Sequence, residues 1–508
     1  MKGHIKISRP FEIGEVDRRF AGSFVEHLNR CMYGGLYEKD HAAADQNGFR
    51  GDVKQLIQKA GVSLLRYPGG NFVSSYDWKK GIGPREKRKP VYEPAWQTIE
   101  KNEVGIDEFA AYARELGCEL ALSVNMGTGT PMEAAELVEY CNLQGGTQYS
   151  ELRKENGAEE PYHIRLWCVG NEMDGPWQMG SLDAKAYGAK FRETSKLMRA
   201  VDPEIELIAC GSCSNEEGHN TFGFWDRQVL EEAYDQIDYL SLHRYYGYDV
   251  ERELLYPRKE TIRDGAAMPA DFDDMLTTVE SAIRYVKGIR RSGHEVYLAI
   301  DELNLIPKRI YDSNGDICDV FSQYEAVLYG GLLCVLLNHA DRVKIHCQSL
   351  LVNENGLITT VRGKDAFAQA IFYPFRDAAD CIGGRVLLQN AVWDTVETEH
   401  FGRKNCGISA CVYAEENKTL KVLAANFSLE EELELSIDVE DFGQVVCLGR
   451  TELYLKDYTA GNTEKEPEKV VPVYYKDEGK RNSDREGNTL SFLLRPHSWN
   501  VITLKTEW

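Results

Sequence analysis

Two acids stand at the ends of apolar runs, and they are the natural place to look for chemistry. Glu172 closes the first run in LWCVGNEMDGPW (166–177), and Glu302 closes EVYLAIDELN (295–304). A carboxyl pair facing each other at about 5–5.5 Å is what cleavage of a glycosidic bond with retention requires. One group stays protonated to release the leaving oxygen, and the other attacks the anomeric carbon. Asn171, directly before Glu172, is suited to bond a sugar hydroxyl, most usefully the one beside the anomeric carbon, where the bond strengthens in the transition state. Tyr245 or His243 could hold the Glu302 carboxylate ionised and oriented. Trp78, Trp96 and Trp177 offer flat faces for sugar rings. Each feature has a plainer reading: a strand-end acid is more often an ion pair, and a loop tryptophan is as often packing. Alternation along a strand puts Asp301 on the side opposite Glu302, as a structural partner.

The elements that must position these groups follow a rhythm. Apolar runs recur at 19–27, 62–70, 119–125, 163–172, 204–212, 237–246, 295–304 and 342–351, with amphipathic stretches between them such as IDEFAAYAREL (106–116), PMEAAELVEYCN (131–142) and 182–201. Near-continuous apolar strands alternating with helices imply a parallel sheet covered on its outer side. Eight such units predict an α/β fold, a (β/α)8 TIM barrel over residues 15–378. A doubly wound sheet is excluded by the number of units and by the lack of Gly-x-Gly-x-x-Gly after the first strand. Polar residues end the runs: Glu26, Asn71, Asn125, Asn171 with Glu172, Ser212, His243 with Tyr245, Glu302 and Gln348. In a barrel those ends converge on one face, so the ring predicts a polar pocket there.

After YPFRDAAD (373–380) the helical rhythm stops. Short alternating runs at 391–399, 408–415, 418–428, 431–439 and 489–505, separated by turn residues, predict a jelly-roll-like antiparallel β-sandwich over 379–508. The N-terminal strand within 1–14 has no barrel partner and is expected to complete that sandwich. The stretch 456–487, dense in Lys, Glu, Asp and Asn, reads as long exposed loops.

Bulk properties narrow the partners. The net charge of −22, from 59 basic and 81 acidic residues, argues against nucleic acid or an anionic membrane surface and suits a neutral substrate. No signal-peptide core or bilayer-length apolar run is present; LYGGLLCVLL (328–337) is too short. Thirteen scattered cysteines suit reduced thiols in a cytoplasmic protein. Cys210 and Cys213 have a ligand-like spacing without a second pair, no HxxxH pattern occurs, and no metal or other cofactor is expected.

The motifs GNEMDGPWQ (170–178), RYPGGNFVSSYDW (66–78), FVEHLNRCMYGG (24–35), SVNMGTGT (123–130), DYLSLHRYYG (238–247) and DELN (301–304) together resemble glycoside hydrolase family 51, mainly α-L-arabinofuranosidases. The likeness extends to RPHSWNVITLK (495–505), essentially the whole chain. It implies Glu172 as general acid/base and Glu302 as nucleophile, with Glu26, Asn71, Asn171 and Gln348 bonding the arabinofuranose hydroxyls. It further implies Tyr245 beside the nucleophile and Trp96 shaping the sugar site, with His243 counted among the substrate-contacting residues. The expected partners are arabinose-containing oligosaccharides, and the expected assembly is a homo-oligomer, hexameric by resemblance. Endo-glucanase or β-xylosidase action within the same family is the alternative activity, and a catalytically silent sugar-binding protein the alternative class. The chain departs from the family at Leu303, where tryptophan is usual, and around His346-Cys347-Gln348; both departures are expected near the pocket.

Overall fold

The computed structural model describes residues 1–214, 219–247, 261–476, 480–481 and 489–507. Eight parallel strands close into a barrel: Gly22–Phe24, Leu64–Tyr67, Glu119–Val124, Leu166–Val169, Glu206–Cys210, Tyr239–Tyr246, Tyr297–Leu305 and Val343–Gln348. These are the cores of the eight apolar runs. Small and aliphatic side chains, including Leu64, Ala121, Leu166, Cys168, Ile208, Ala299 and Ile345, fill the interior. The barrel is therefore a packed core and not a pore.

Side-chain caps start several of the helices. Thr130 and Glu133 form a reciprocal box, the Glu133 N–H reaching the Thr130 hydroxyl at 3.2 Å and the Thr130 N–H reaching Glu133 Oε2 at 2.8 Å; two orphan donors of the helix Pro131–Asn142 are satisfied this way. Asp183 accepts from the Ala186 N–H at 2.8 Å and opens Ala184–Val201.

The apolar run at 328–337 belongs to the helix Gln323–Asn338, whose residues are buried all round except the last. Its uniform hydrophobicity follows from its position between the barrel and the second sheet, since a helix covered on every side has no polar face to keep. Trp499 lies against Gly330 and Phe427 against Gly331, where any side chain would collide with the rings. No helix among the described residues is long and apolar enough to cross a membrane.

Beyond the barrel lies a ten-stranded sheet. The strand Lys2–Glu15 sits in its middle, antiparallel to Arg385–Trp393 and parallel to Leu433–Asp438. The sheet curls so that Ile5 and Ile7, Val422 and Leu420, Leu435 and Ile437, Phe492 and Ile502 share one core. That core is separate from the barrel's, and its pairing is antiparallel apart from this one neighbour. The 456–487 stretch is not wholly exposed: Asn462 and Val470 are buried, and the Asn462 side chain clasps the Val470 backbone at 2.7 and 3.1 Å. Residues 477–479 and 482–487 of that stretch lie outside the described residues.

Candidate active site

The carboxyl groups of Glu172 and Glu302 meet at the C-terminal mouth of the barrel. Strand four ends at Val169, and the chain then turns sharply through Gly170 (φ 99°) to Glu172 (φ 43°). The turn delivers both Asn171 and Glu172 to the mouth. Strand seven uses a different device. Its pairing slips between Ala299 and Glu302 on the strand-six side and between Ile300 and Leu303 on the strand-eight side. Such a bulge re-aims side chains. Simple alternation placed Asp301 opposite Glu302, but the bulge turns both inward, and Leu303 outward into the fully buried layer of the main core. Leu303 thus packs in the apolar core behind the strand while its neighbour Glu302 reaches the site.

Between the acids runs a charged network that sequence reasoning missed in part. Arg66, at the third position of strand two, is 1% exposed. Its Nη1 donates to Glu302 Oε1 at 2.9 Å, its Nη2 to Asn171 Oδ1 at 2.6 Å, and its Nε lies 3.1 Å from Asp301 Oδ2. Tyr245 donates to the other Glu302 oxygen at 2.6 Å and also contacts the Ser349 hydroxyl. His243 does not chiefly serve Glu302. Its Nδ1 bonds Glu172 Oε1 at 2.9 Å and lies 3.6 Å from Glu302, while its Nε2 lies 3.3 Å from Asp301. The second Glu172 oxygen accepts from Trp177 Nε1 at 2.7 Å.

These contacts set the protonation of the site. Burial works against a charged His243, but the negative charge of Glu302 and the bonds to Asp301 and Glu172 hold its pKa well above the ordinary imidazole value. Burial also works against an ionised Glu172, yet the bond and charge of His243, with Trp177 and Arg66 adding, keep its pKa below the usual range. For Glu302, burial and the charge of Glu172 outweigh His243, Arg66 and Tyr245, and its pKa is raised. Asp301 is opposed by burial too, but Arg66 and His243 pull it down to about 2. One donor atom each from Glu172, His243 and Glu302 lies within 4.8 Å of the others, the one such grouping found among the described residues and compact enough to hold a metal ion. Arg66 is already a fixed cation on Glu302 there.

Around this centre the remaining strand ends divide. Glu26, on the loop after strand one, accepts from the Phe72 N–H at 2.9 Å and from Trp96 Nε1 at 2.8 Å. Gly70 (φ 69°) leaves room for it, because a Cβ would run into the carboxylate. Burial pushes the Glu26 pKa up to about 8 against those two donors, and the charges of Glu302 and Glu172 add to the rise. Trp96 is held by Glu93, which accepts from the N–H groups of Ala95 and Trp96, both at 2.8 Å. Asn171 Nδ2 lies 3.5 Å from Asn71 Oδ1 and 3.4 Å from Gln178 Oε1, so these amides form one patch. The Gln348 amide nitrogen is tied to the carbonyls of Ser349 and Asn355 at 3.0 and 3.1 Å, and its Oε1 is buried without a partner in the protein.

Two members of the expected polar ring do not join the site. Asn125 folds back on its own loop, accepting from the N–H groups of Gly127, Thr128 and Gly129 at 3.0–3.1 Å. The Ser212 hydroxyl donates to Asp226 at 2.7 Å. Nor is Trp78 a sugar platform: it is 6% exposed and wedged against Tyr140 and Tyr149. Trp177, by contrast, is 47% exposed beside Glu172.

Comparison with known proteins bears on this geometry. Residues 56–252 match the model of an α-L-arabinofuranosidase 1 domain, and residues 301–498 that of an α-L-arabinofuranosidase C-terminal domain. The chain is 39% identical to intracellular exo-α-(1→5)-L-arabinofuranosidase 1 of Bacillus subtilis, covering 100% of this chain and 99% of that one. It is 36% identical to an exo-α-(1→6)-L-arabinofuranosidase of Bifidobacterium longum, over 99% and 97% of the two chains. Among solved structures, a family 51 α-L-arabinofuranosidase from Bifidobacterium longum superposes with a TM-score of 0.90 at 33% identity, covering 99% of both chains. An α-L-arabinofuranosidase from Thermotoga maritima, solved as an arabinose complex, gives 0.85 at 31% identity, again over 99% of both.

Proposed function

Since the chain belongs to glycoside hydrolase family 51, the α-L-arabinofuranosidases, we propose that it releases terminal α-L-arabinofuranosyl residues from arabinose-containing oligosaccharides by exo-acting, retaining double displacement. The observation that carries this reading is the closeness of the acids, whose nearest oxygens are within 4.8 Å. That spacing suits direct attack by one carboxylate and is shorter than the about 6.5–9.5 Å at which an inverting pair holds its water.

In this reading Glu302 attacks the anomeric carbon as the bond to the leaving oxygen breaks, and an arabinosyl ester forms. The leaving oxygen takes a proton from Glu172. Glu172 then removes a proton from water, whose oxygen attacks the anomeric carbon and frees Glu302. The proton Glu172 needs is supplied in this reading by His243, one hydrogen bond away at 2.9 Å; we take the two side chains as one acid/base unit. Arg66 and Tyr245, on separate oxygens of Glu302, orient the nucleophile. Asn171, Asn71, Glu26 and Gln348 bond sugar hydroxyls, and Trp96 closes that side of the pocket. The relatives named above differ in linkage, (1→5) against (1→6); both end in a terminal furanosyl group, which is the part this pocket would read. We further propose a cytoplasmic location and a homo-oligomeric assembly, hexameric as the family resemblance implies.

The test is stereochemical. Proton NMR of an early time point on an aryl α-L-arabinofuranoside should show the α-anomer of arabinose first. Glu172→Ala should regain turnover with azide on a good leaving group and yield an arabinosyl azide of retained configuration, whereas Glu302→Ala should not. A first product of inverted configuration would refute the mechanism.

A further inference from the structure

The second sheet carries a groove of about 750 Å³, lined among others by Trp393, Asp394, Arg403, Glu431, Glu432 and Glu434. Its aromatic element is built in. Trp393 pairs with Gly3 across adjacent strands, and a Cβ at Gly3 would stand 2.5 Å from the indole Cε3, while one at Gly407 would stand 3.0 Å from it. Two glycines thus seat one half-buried indole against the backbone. Around it, Glu432 and Glu434 are exposed acceptors, and Glu431, also exposed, lies 3.7 Å from the Met1 amine. Arg403 is an exposed donor whose guanidinium is no closer than 3.9 Å to Glu397.

The groove is tied to the mouth end of the barrel. Arg403 and Thr395 belong to the hairpin Thr395–Glu397/Arg403–Asn405. The tip of that hairpin docks through His400, whose N–H and Nδ1 reach the two Asp264 oxygens at 2.9 and 2.8 Å. Asp264 lies in the short helical turn Ile262–Ala267 that leads into the helix Met268–Arg290, which follows strand six. Helices after barrel strands begin at the mouth, so the hairpin runs from the groove toward the active-site end.

We infer that this groove is an accessory binding site for an uncharged, arabinose-containing oligosaccharide or polysaccharide chain. An indole face takes the apolar side of a sugar ring, and flanking carboxylates and a guanidinium take its hydroxyls. Asp394, Glu431, Glu432 and Glu434 on the walls are set against Arg403, Lys2 and the Met1 amine, so the lining is close to balanced in charge and suits an uncharged ligand. The cavity is large enough for several sugar residues, as ligand sites of about 300–1,000 Å³ are. The choice of arabinose rests on the function proposed above. The groove would hold a long substrate while its terminal residues reach the barrel.

Native gel electrophoresis with branched arabinan in the matrix, and free arabinose added to fill the barrel mouth, tests this. The wild-type chain should be retarded. Trp393→Ala and Arg403→Ala should each weaken retardation at least fivefold, with kcat/KM on a short aryl arabinofuranoside unchanged. Arg403 is on the surface and outside the core, so its variant reports even if Trp393→Ala fails to fold. An unretarded wild type, or variants retarded as strongly as wild type, would overturn the proposal. Retardation relieved by a basic peptide but not by arabinan fragments would assign the groove to another partner and overturn it too. Normal retardation without arabinofuranosidase turnover would sink the proposed function and leave the groove standing.

Discussion

Replacing Arg66 probes the centre of the site more sharply than replacing either acid. Its guanidinium faces Asp301 and Glu302, which are 1% and 4% exposed, and also holds Asn171. Arg66→Met leaves two buried carboxylates with only His243 to oppose their charge, and removing one partner of a buried pair costs about 3–5 kcal/mol. With an unfolding entropy of about 2.1 cal/mol/K per residue, a unit the size of this barrel shifts by roughly 1.3 °C per kcal/mol, so Tm should fall by about 4–7 °C. Activity adds a second reading. Arg66 opposes the raised pKa of Glu302; without it the carboxyl holds its proton to higher pH. The acidic limb of kcat/KM, which reports the carboxylate that must be ionised, should therefore move upward. Arg66→Lys keeps the charge but not the fork, and one lysine cannot reach three partners. Losing one charge-assisted hydrogen bond, about 1.5–3 kcal/mol, should lower kcat/KM roughly 10–150-fold and Tm by about 2–4 °C. Differential scanning calorimetry and pH–rate profiles on an aryl arabinofuranoside measure both. A Met variant with wild-type Tm and an unmoved acidic limb would refute the reasoning.

Three further substitutions have signed outcomes. Trp177→Phe removes the donor that favours ionised Glu172, so the basic limb of kcat/KM should rise while Tm holds, because the ring is half exposed; a downward shift contradicts the assignment. Trp96→Phe removes a donor to Glu26 and should raise its pKa beyond about 8, increasing KM roughly 5–30-fold, about 1–2 kcal/mol of hydrogen bonding, with little effect on kcat. Arabinose titrations across pH 7–9 would check it. For His339 burial opposes the charged form, but the bonds to Asp273 and Glu280 raise its pKa from 6.5 to about 9. Because the folded value lies above the unfolded one, this clasp stabilises fully below pH 6.5 and is lost as pH rises through about 9. The wild-type Tm should therefore fall more steeply over that window than that of His339→Gln.

The barrel was legible because fully buried parallel strands leave an unmistakable mark, near-continuous apolar runs separated by helix-length amphipathic stretches. The acids were legible because they close two of those runs. What failed was the assumption that a strand end always points at the mouth. Asn125 and Ser212 occupy the same topological position as Asn171, yet the loop after Asn125 supplies backbone donors and the helix Phe224–Ala233 supplies Asp226, and these claim the side chains first.

Arg66 shows the opposite failure. An arginine inside LLRY reads as a flaw in a core strand, and only its partners explain it. An inward-facing charge is tolerable in a barrel when opposite charges reach it from across the interior, and the adjacent acids Asp301 and Glu302 supply them. Adjacent residues on a regular strand cannot both face inward; the bulge between Ala299 and Leu303 makes it possible. The unexplained arginine of strand two and the doubled acid of strand seven are therefore one signal written in two places. Neither is readable alone, because the bulge that joins them leaves no composition or period in the sequence. A buried arginine facing a doubled acid on another strand is itself the evidence that such a bulge must exist.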